Sequence, residues 1–456
     1  MAVSYLKLWK LLVDKQMTKT ELKEAARIST NVLAKLGKSE PVSMYSLEKI
    51  CIVLSCDIGE IMEILPNKLD INAAEDDLIE QIEIFDDSYK ALGKIDWSFS
   101  NCKQDAISLL HPYPARFIEE LPRQLINALG CPQGTVILDP FCGSGTTLVE
   151  AQRVNTPAIG IDLNPIACLI SRTKTATLED DFLSTSNSIT INANERYKNE
   201  YIAIPSIPNL DHWFKMDVQK ALSAIMSEIL ASDTSNATKD ALSFALSSII
   251  VRVSNQESDT RYAAIEKNVA AEDVFHSFSS ACKKLAIAKQ ETSFTTPITI
   301  FNRDVLKIRS EEISHNVGLV ITSPPYPNAY EYWLYHKYRM WWLGYDPIAV
   351  RSYEIGARPH YQKKNGQTEK DFSREMGQVF ELFNDCVVPN GHVCIIIGRS
   401  IIKGRYVDNA AIITEVATRN GYVSIAKIPR EIAQTRKSFN LSYGKITTES
   451  ILIFRR

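Results

Sequence analysis

The chain has 456 residues, 45% hydrophobic and 23% charged, a composition that supports a large core and excludes a disordered or collagen-like polymer. At roughly 150 residues per domain it holds two or three domains; no apolar run approaches the roughly 18 residues of a membrane span, and nine cysteines without a CxxC pair or secretory signal read as free thiols of a reducing, cytoplasmic compartment. The formal charge of −3 hides a gradient: residues 1–66 carry 9 basic and 8 acidic side chains, 67–329 carry 23 and 34, and 330–456 carry 19 and 12, so the C-terminal quarter suits a polyanionic partner.

Residues 1–66 read as a small all-α unit. Leu6, Trp9, Leu11 and Leu12 form an apolar stripe near the helical period. Thr18 with Glu21 makes a capping box for a second helix carrying Leu22, Ala25 and Ala26. Ser29 opens STNVLAKLG, which stops at Gly37. Ser46 is placed to cap SLEKICIVLS, and DIGEIMEIL reads as a last helix. The stretch TKTELKEAARISTNVLAKL resembles the helix-turn-helix of the Cro/lambda-repressor family. That resemblance implies a second helix that enters the major groove of double-stranded DNA, presenting Ser29, Thr30, Asn31, Ala34 and Lys35. A helical bundle for dimerisation or docking is the other reading of the same pattern.

Residues 67–97 read as an acidic linker, because EDDLIEQIEIFDDSY is a poor surface to lay on DNA. From residue 98 to 456 the rhythm becomes α/β. TVILDPF is a buried strand ending at Asp139, CGSGTTLVEAQRV a turn and helix, PAIGIDL a second strand ending at Asp162, and NPIACLISRTK a second helix. Strand, glycine turn, helix, strand, acid is the opening of a Rossmann-like, doubly wound sheet. Residues 178–292 are poor in strand signals and read as a helical insertion, a candidate target-recognition part. ITIFNRDVL, VGLVITSPPY, VVPNGHVCIIIG, GYVSIAKI and TESILIFRR are the later strands.

DPFCGSGTT is the most informative stretch. Gly143 and Gly145 permit a sharp turn with close backbone approach to a ligand. The spacing is not GxGxxG and lacks a Walker lysine. Asp162, at a strand tip, is placed to accept two ribose hydroxyls, and Asp304 to accept from an adenine amine. With these residues in order, the sequence resembles the S-adenosylmethionine-dependent amino-methyltransferases of DNA. The resemblance implies a cofactor site built from Asp139, Phe141, Gly143, Ser144, Gly145, Thr146, Asp162 and Asp304. HPYPARF, residues 111–117, is similar to the segment that closes over the methionine carboxylate, with Pro114, Ala115 and Phe117 the matched positions.

TSPPY, residues 322–326, is the catalytic half of the resemblance. A base amine is a poor nucleophile because its lone pair is delocalised into the ring. Acceptors around its protons pull the nitrogen toward tetrahedral geometry; Ser323 Oγ and the Pro324 carbonyl suit that task. Pro324 and Pro325 stiffen the turn, and Tyr326 is suited to stack on a flipped base. In the family, serine before Pro-Pro goes with the cytosine N4 amine and aspartate with adenine N6. Clamp, glycine loop and catalytic turn come in an order that many cytosine-N4 enzymes reverse, so adenine stays open. RNA base methylation, and a transcriptional regulator with a vestigial enzyme domain, are the remaining alternatives.

Other candidates are weaker. Arg252, Ser254 and Arg261 either face substrate or serve packing. NAYEYWLYHKYRMWW, 328–342, either walls a base pocket or packs a helix core. Residues 351–372 read as a mobile phosphate-contacting loop, and IPREIAQTRKSF supplies Arg430 and Arg436 as DNA contacts. The histidines show no ligand spacing, so no metal is expected. The expectation is therefore a site-specific DNA methyltransferase of a restriction–modification system, with a cognate restriction endonuclease as its companion.

Overall fold

The computed structural model describes the chain except residues 1, 16, 38–39, 41, 66–80, 100–101, 103, 260, 291–294, 314–315, 329, 364 and 432–447. It divides into two compact units, Met1–Glu80 and Gln81–Arg456. No helix among the described residues is long and apolar enough to cross a membrane.

The first unit has helices α1 (Leu6–Asp14), α2 (Lys19–Ala25), α3 (Thr30–Gly37), α4 (Met44–Leu54) and α5 (Ile58–Ile61). The capping box forms: Thr18 Oγ1 accepts from the Glu21 N–H at 3.2 Å, and Glu21 Oε2 accepts from the Thr18 N–H at 2.7 Å. Leu8, Leu22, Leu36, Ile50 and Ile61 close one small core. Two expectations are corrected. Ser43 rather than Ser46 caps α4, accepting from the Ser46 N–H at 3.2 Å. The unit is also not all-α: β1 (Ala2–Ser4) pairs antiparallel with β2 (Glu63–Leu65). The residues expected to finish the last helix gain a ladder partner from the far end of the unit, which no local window of sequence contains.

The strands of the larger unit are β3 (Glu83–Ile84), β4 (Val136–Asp139), β5 (Ala158–Asp162), β6 (Gln256–Ser258), β7 (Arg261–Ala264), β8 (Ile298–Asn302), β9 (Val317–Thr322), β10 (Val387–Gly398), β11 (Ser400–Ile402), β12 (Arg405–Val407), β13 (Val423–Glu431) and β14 (Thr448–Arg455). Eight form one sheet in the order β3-β13-β14-β10-β9-β4-β5-β8. From β8 to β10 the neighbours are parallel; β14 runs antiparallel to both β10 and β13, and β3 to β13. The chain goes from β4 outward to β5 and β8, then returns to β9 and β10 on the other side. Strand order thus reverses between β4 and β9, and a crevice opens at their carboxyl ends.

Both faces of the sheet are covered. Val393, Ile395 and Ile397 pack with Phe372, Phe380 and Phe383 of the helix Glu369–Cys386. Cys394 and Ile396 join Leu121 and Leu125 of the helix Glu120–Leu129 on the opposite side. Burial on both faces is why these strands read as unbroken apolar runs. Gly318 is the exception to the alternation: Val136 pairs Val317 but Ile137 pairs Leu319. A side chain at 318 would collide with Thr135 Oγ1 and Pro132.

The described residues of 178–292 are mostly helical, as expected, with Phe182–Asn199, Met216–Ala231, Asn236–Val253 and Ala271–Gln290 around the β6–β7 hairpin. Their core also takes in Trp333, Tyr338, Met340 and Trp342, so most of the aromatic run packs helices. Two segments read from polarity are corrected. Residues 351–372 are not a bare loop, since they hold the end of Pro347–Tyr353, the helix Arg358–Tyr361 and a capping box at Thr368. Residues 81–97 are not a spacer, since β3 extends the sheet edge and Leu92 and Trp97 are buried in the core. Trp97 Nε1 donates to the Leu92 carbonyl at 2.9 Å, while the acid Asp86 stays toward the surface and pairs with Arg455 at 3.0 Å. Trp97→Ala is therefore expected to destabilise the larger unit by about 3–5 kcal/mol in chemical denaturation; a spacer residue would leave the midpoint unchanged.

Candidate active site

The crevice is built from four strand ends. β4 delivers Asp139, β5 Asp162, the turn after β8 Asp304, and β9 Ser323. Between β4 and the helix Thr146–Arg153 the chain turns through Gly143 (φ 49°) and Gly145 (φ 77°), conformations that favour glycine. A Cβ on Gly145 would meet Ser171 Oγ at 2.7 Å, and one on Gly143 would meet Tyr113 Oη at 3.1 Å. The loop is also held from outside: the Asp162 carboxylate accepts from the N–H groups of Gly143 at 2.9 Å and Asn164 at 2.8 Å. Beneath it, buried Lys174 donates to the Ser144 carbonyl at 3.0 Å, and burial pushes its pKa down to about 7.

These elements line one cleft of about 880 Å³, part of it open to solvent. Eleven residues expected from the sequence line it: Ala115, Phe117, Asp139, Phe141, Gly143, Ser144, Thr146, Asp162, Asp304, Ser323 and Pro325. Pro114, Gly145, Pro324 and Tyr326 are not part of the lining. Ala115, which does line it, has φ 48°, an uncommon conformation for a residue with a Cβ. Arg116 is engaged locally, donating to the Ser108 carbonyl and to Gln104 Oε1.

The acids of the cleft are desolvated. Asp139 accepts from Thr322 Oγ1 at 2.6 Å and from the Phe141 N–H at 3.2 Å, yet burial pushes its pKa up to about 6. Burial does the same to Asp162, also to about 6. Glu354 was not anticipated. It accepts from the N–H groups of Tyr332 at 3.0 Å and Trp333 at 2.8 Å, and burial pushes it to about 8. Tyr113, Asn164, Arg303 and Tyr353 are other polar lining residues missed, while Tyr332 comes from the 328–342 run expected either to wall a pocket or to pack a helix core. Tyr113 lies inside the HPYPARF segment and stacks on Tyr332, with ring centroids 5.9 Å apart. Glu354 was hidden by the polar composition around it.

Two lining atoms are buried without a hydrogen-bond partner among the described residues: Thr146 Oγ1 and Asn164 Nδ2. A buried polar atom left alone is costly. A polar ligand bearing both donors and acceptors would satisfy them. The donors and acceptors of the glycine loop, the Asp162 carboxylate and these orphans together fit an amino-acid nucleoside.

The turn at residues 322–326 is held from behind. Tyr326 donates through its hydroxyl to Glu449 Oε2 at 3.1 Å, and its ring packs on the core below the sheet. Cys142 in the loop is a buried thiol raised by desolvation, unsuited to act as a nucleophile. Of the DNA-contact candidates, Ser29, Thr30, Asn31 and Lys35 are exposed on and just before α3, although Ser29 Oγ also accepts from the Val32 N–H at 3.2 Å. Arg252 is exposed on the last turn of its helix. Ser254 is buried and donates to the Val251 carbonyl, so it serves packing. Arg430 is corrected: it sits in β13 with a side chain only 7% exposed, paired with Glu449 at 2.5 Å. Arg436 and the side chain of Arg261 lie outside the described residues.

Two stretches of the chain match known families. Residues 7–67 match the Cro/C1-type HTH DNA-binding domain, and residues 59–173 match the DNA methylase family. Type II methyltransferase M.MvaI of Kocuria varians is 29% identical over 245 residues, 48% of this chain and 53% of that protein. Type II methyltransferase M.BsoBI of Geobacillus stearothermophilus is 24% identical over 292 residues, 56% of each. Type II methyltransferase M.MjaII of Methanocaldococcus jannaschii is 42% identical over 65 residues, 14% of this chain and 12% of that protein. The chain thus spans about half the length, or less, of these relatives. Residues 7–67 are thus similar to a Cro/C1-type helix-turn-helix domain and residues 59–173 to a DNA methylase, and the larger unit is built on a mixed, Rossmann-like sheet.

Proposed function

We propose that this chain is an S-adenosylmethionine-dependent methyltransferase acting on the exocyclic N4 amine of a flipped cytosine in double-stranded DNA, within a restriction–modification system that includes a cognate endonuclease. The observation that carries this reading is the sharing of one cleft by the glycine loop, Asp162 and Ser323. When bound, S-adenosylmethionine supplies an activated methyl group. Asp162 accepts the ribose hydroxyls, Thr146 and Asn164 bond the amino-acid portion, and Asp304 accepts from the adenine amine. Ser323 Oγ and the Pro324 carbonyl accept the two amine hydrogens of the target base, which localises the nitrogen lone pair. The stiff Pro-Pro turn would hold that nitrogen in place toward the donor. The exposed residues of α3 are proposed to contact duplex DNA.

Serine at 323 favours cytosine. The order of clamp, glycine loop and catalytic turn along the chain favours a second reading, adenine N6, on the same machinery. DNA from an expressing host, sequenced by a method that separates N4-methylcytosine from N6-methyladenine, decides between them. N4-methylcytosine at one recurring motif is the expected outcome; a host without any modified motif would overturn the DNA reading.

Asp162 also gives the cofactor site a pH dependence. Its ionised form is the better acceptor for ribose hydroxyls, and its pKa lies at about 6, beside Asp139 at about 6. Binding that requires the carboxylate gains with pH until the group is ionised, by at most about tenfold per pH unit. Calorimetric affinity for S-adenosylhomocysteine is expected to rise from about pH 5 to about pH 7, below the range in which Glu354 ionises, and then level off. Asp162→Ala should weaken binding on the order of 10- to 100-fold at neutral pH and flatten the rise.

A further inference from the structure

β10 carries the sheet past the cleft. It runs parallel to β9, and its Ile395 is level with Thr322. Ile396, Ile397 and Gly398 continue beyond that register. At about 3.3 Å per residue, β10 therefore overhangs the start of the turn at residues 322–326 by about 10 Å. The chain then doubles back as the hairpin β11–β12, in which Ile402 faces Arg405 and Lys403-Gly404 is a two-residue loop. Both loop residues have positive φ, 50° and 79°, the pattern of the type I′ turn whose twist matches the strands it joins. Asparagine is the side chain favoured at the first of these positions; here a lysine occupies it, in a conformation uncommon for a residue with a Cβ.

The hairpin is anchored at its base and bare at its tip. Buried Asn409 donates through Nδ2 to the Gly398 carbonyl at 2.8 Å and to Ser400 Oγ at 2.7 Å. From the other side Asn328, two positions after Tyr326, donates through Nδ2 to the Ile401 carbonyl at 2.7 Å. Its own N–H donates to the Gly356 carbonyl at 2.9 Å. Ser400 and Ile402 are buried, whereas Lys403, Gly404, Arg405 and Tyr406 are exposed. Residues 399–407 hold Arg399, Lys403 and Arg405 and no acid. Neither Lys403 nor Arg405 has an ion-pair or hydrogen-bond partner among the described residues. Arg339 and Arg430, by contrast, are spent on Asp259 and Glu449.

Resting on the DNA-methyltransferase reading, we propose that the β11–β12 hairpin is a phosphate clamp, in which Lys403 and Arg405 bind the duplex backbone beside the nucleotide whose base enters the cleft. Unpaired cations on a rigid turn suit phosphates, which need charge at a fixed place and carry no sequence information. The exposed ring of Tyr406 beside them favours a nucleic acid over an acidic protein face, because it can pack on a sugar or base. The Asn328 tether sets the clamp relative to the turn at 322–326, so a phosphate held at the tip places its strand relative to Ser323.

Lys403→Gln with Arg405→Gln in the full chain tests the clamp; both side chains are exposed, so the fold is kept. The probes are a fluorescent duplex of mixed sequence, for affinity, and a duplex carrying the motif methylated in an expressing host, for KM. Each phosphate contact contributes about 0.9 to the slope of log affinity against log salt, so the double variant should flatten that slope by about 1.8 and raise KM for DNA by about tenfold near 0.15 M salt. Affinity for S-adenosylhomocysteine should not change. The same neutralisation at exposed Lys90 and Lys94, beyond β3 at the far edge of the sheet, should leave the slope as it is. An unmoved slope in the hairpin variant, or an equal flattening in the Lys90 and Lys94 variant, would overturn the proposal. So would a loss confined to structured RNA with duplex affinity intact. A parent chain that neither binds nor methylates duplex DNA brings down the methyltransferase reading and the clamp with it; an active parent with an unmoved slope in the hairpin variant brings down the clamp only.

Discussion

The hydrogen bond from Thr322 Oγ1 to Asp139 Oδ1, 2.6 Å long, ties the two halves of the cleft together. It spans the junction of β9 and β4, where strand order reverses and the crevice opens. Asp139 begins the glycine loop; Thr322 immediately precedes Ser323. With this bond in place, the distance between the loop and the turn at residues 322–326 is set by the sheet rather than by two independent loops. The cost is a buried carboxyl. Two hydrogen bonds do not repay its desolvation, since its pKa is raised to about 6. A carboxyl raised in the folded state contributes stability at low pH that is lost as pH rises from about 4 to about 6. For a shift of about two units that is on the order of 3 kcal/mol near neutrality. The fold retains a destabilising group at the point where the two halves meet.

Asp162 and Glu354 repeat the pattern, each raised mainly by burial. Acids gathered in a dry cleft with orphaned Thr146 and Asn164 make poor structural sense and good sense as a preorganised binding surface. Lys174 is the counterweight. Its ammonium is held under the loop by the Ser144 carbonyl, and Lys289 in turn donates to the Lys174 carbonyl at 2.8 Å. The glycine loop is thus braced from below by helices of the larger unit and from the side by Asp162.

How much of this was legible depended on whether the signal was local. The parallel strands were, because burial on both faces makes them continuous apolar runs. The meeting of the glycine loop, Asp139, Asp162 and Ser323 at one cleft was too, because a tight turn at a strand end constrains residue type at fixed spacing. Glu354 was not: its role comes from donating N–H groups at Tyr332 and Trp333, more than 20 positions away. Residues 81–97 were misread because composition averages over Leu92 and Trp97, the two side chains that decide burial. The β1–β2 pairing joins opposite ends of the first unit and leaves no periodic trace at either.

Arg430 exposes a weakness in reading partners from net charge. The C-terminal quarter is rich in arginine, and that excess suggested a DNA-facing surface. Two of those arginines are spent internally. Arg430 pairs with Glu449, and Arg339, 1% exposed, pairs with Asp259 of the helical insertion. The second pair crosses the segment boundary, so its acid is counted in the acidic middle and its base in the basic tail. Part of the gradient is therefore ion pairs counted in two places, this one and Asp86–Arg455, and the buried Arg339 pair projects little field into solvent. A polyanion responds to charge it can reach. The exposed Lys35 of α3 and Arg252 at its helix end meet that condition, whereas Arg430 is spent on Glu449 within the sheet.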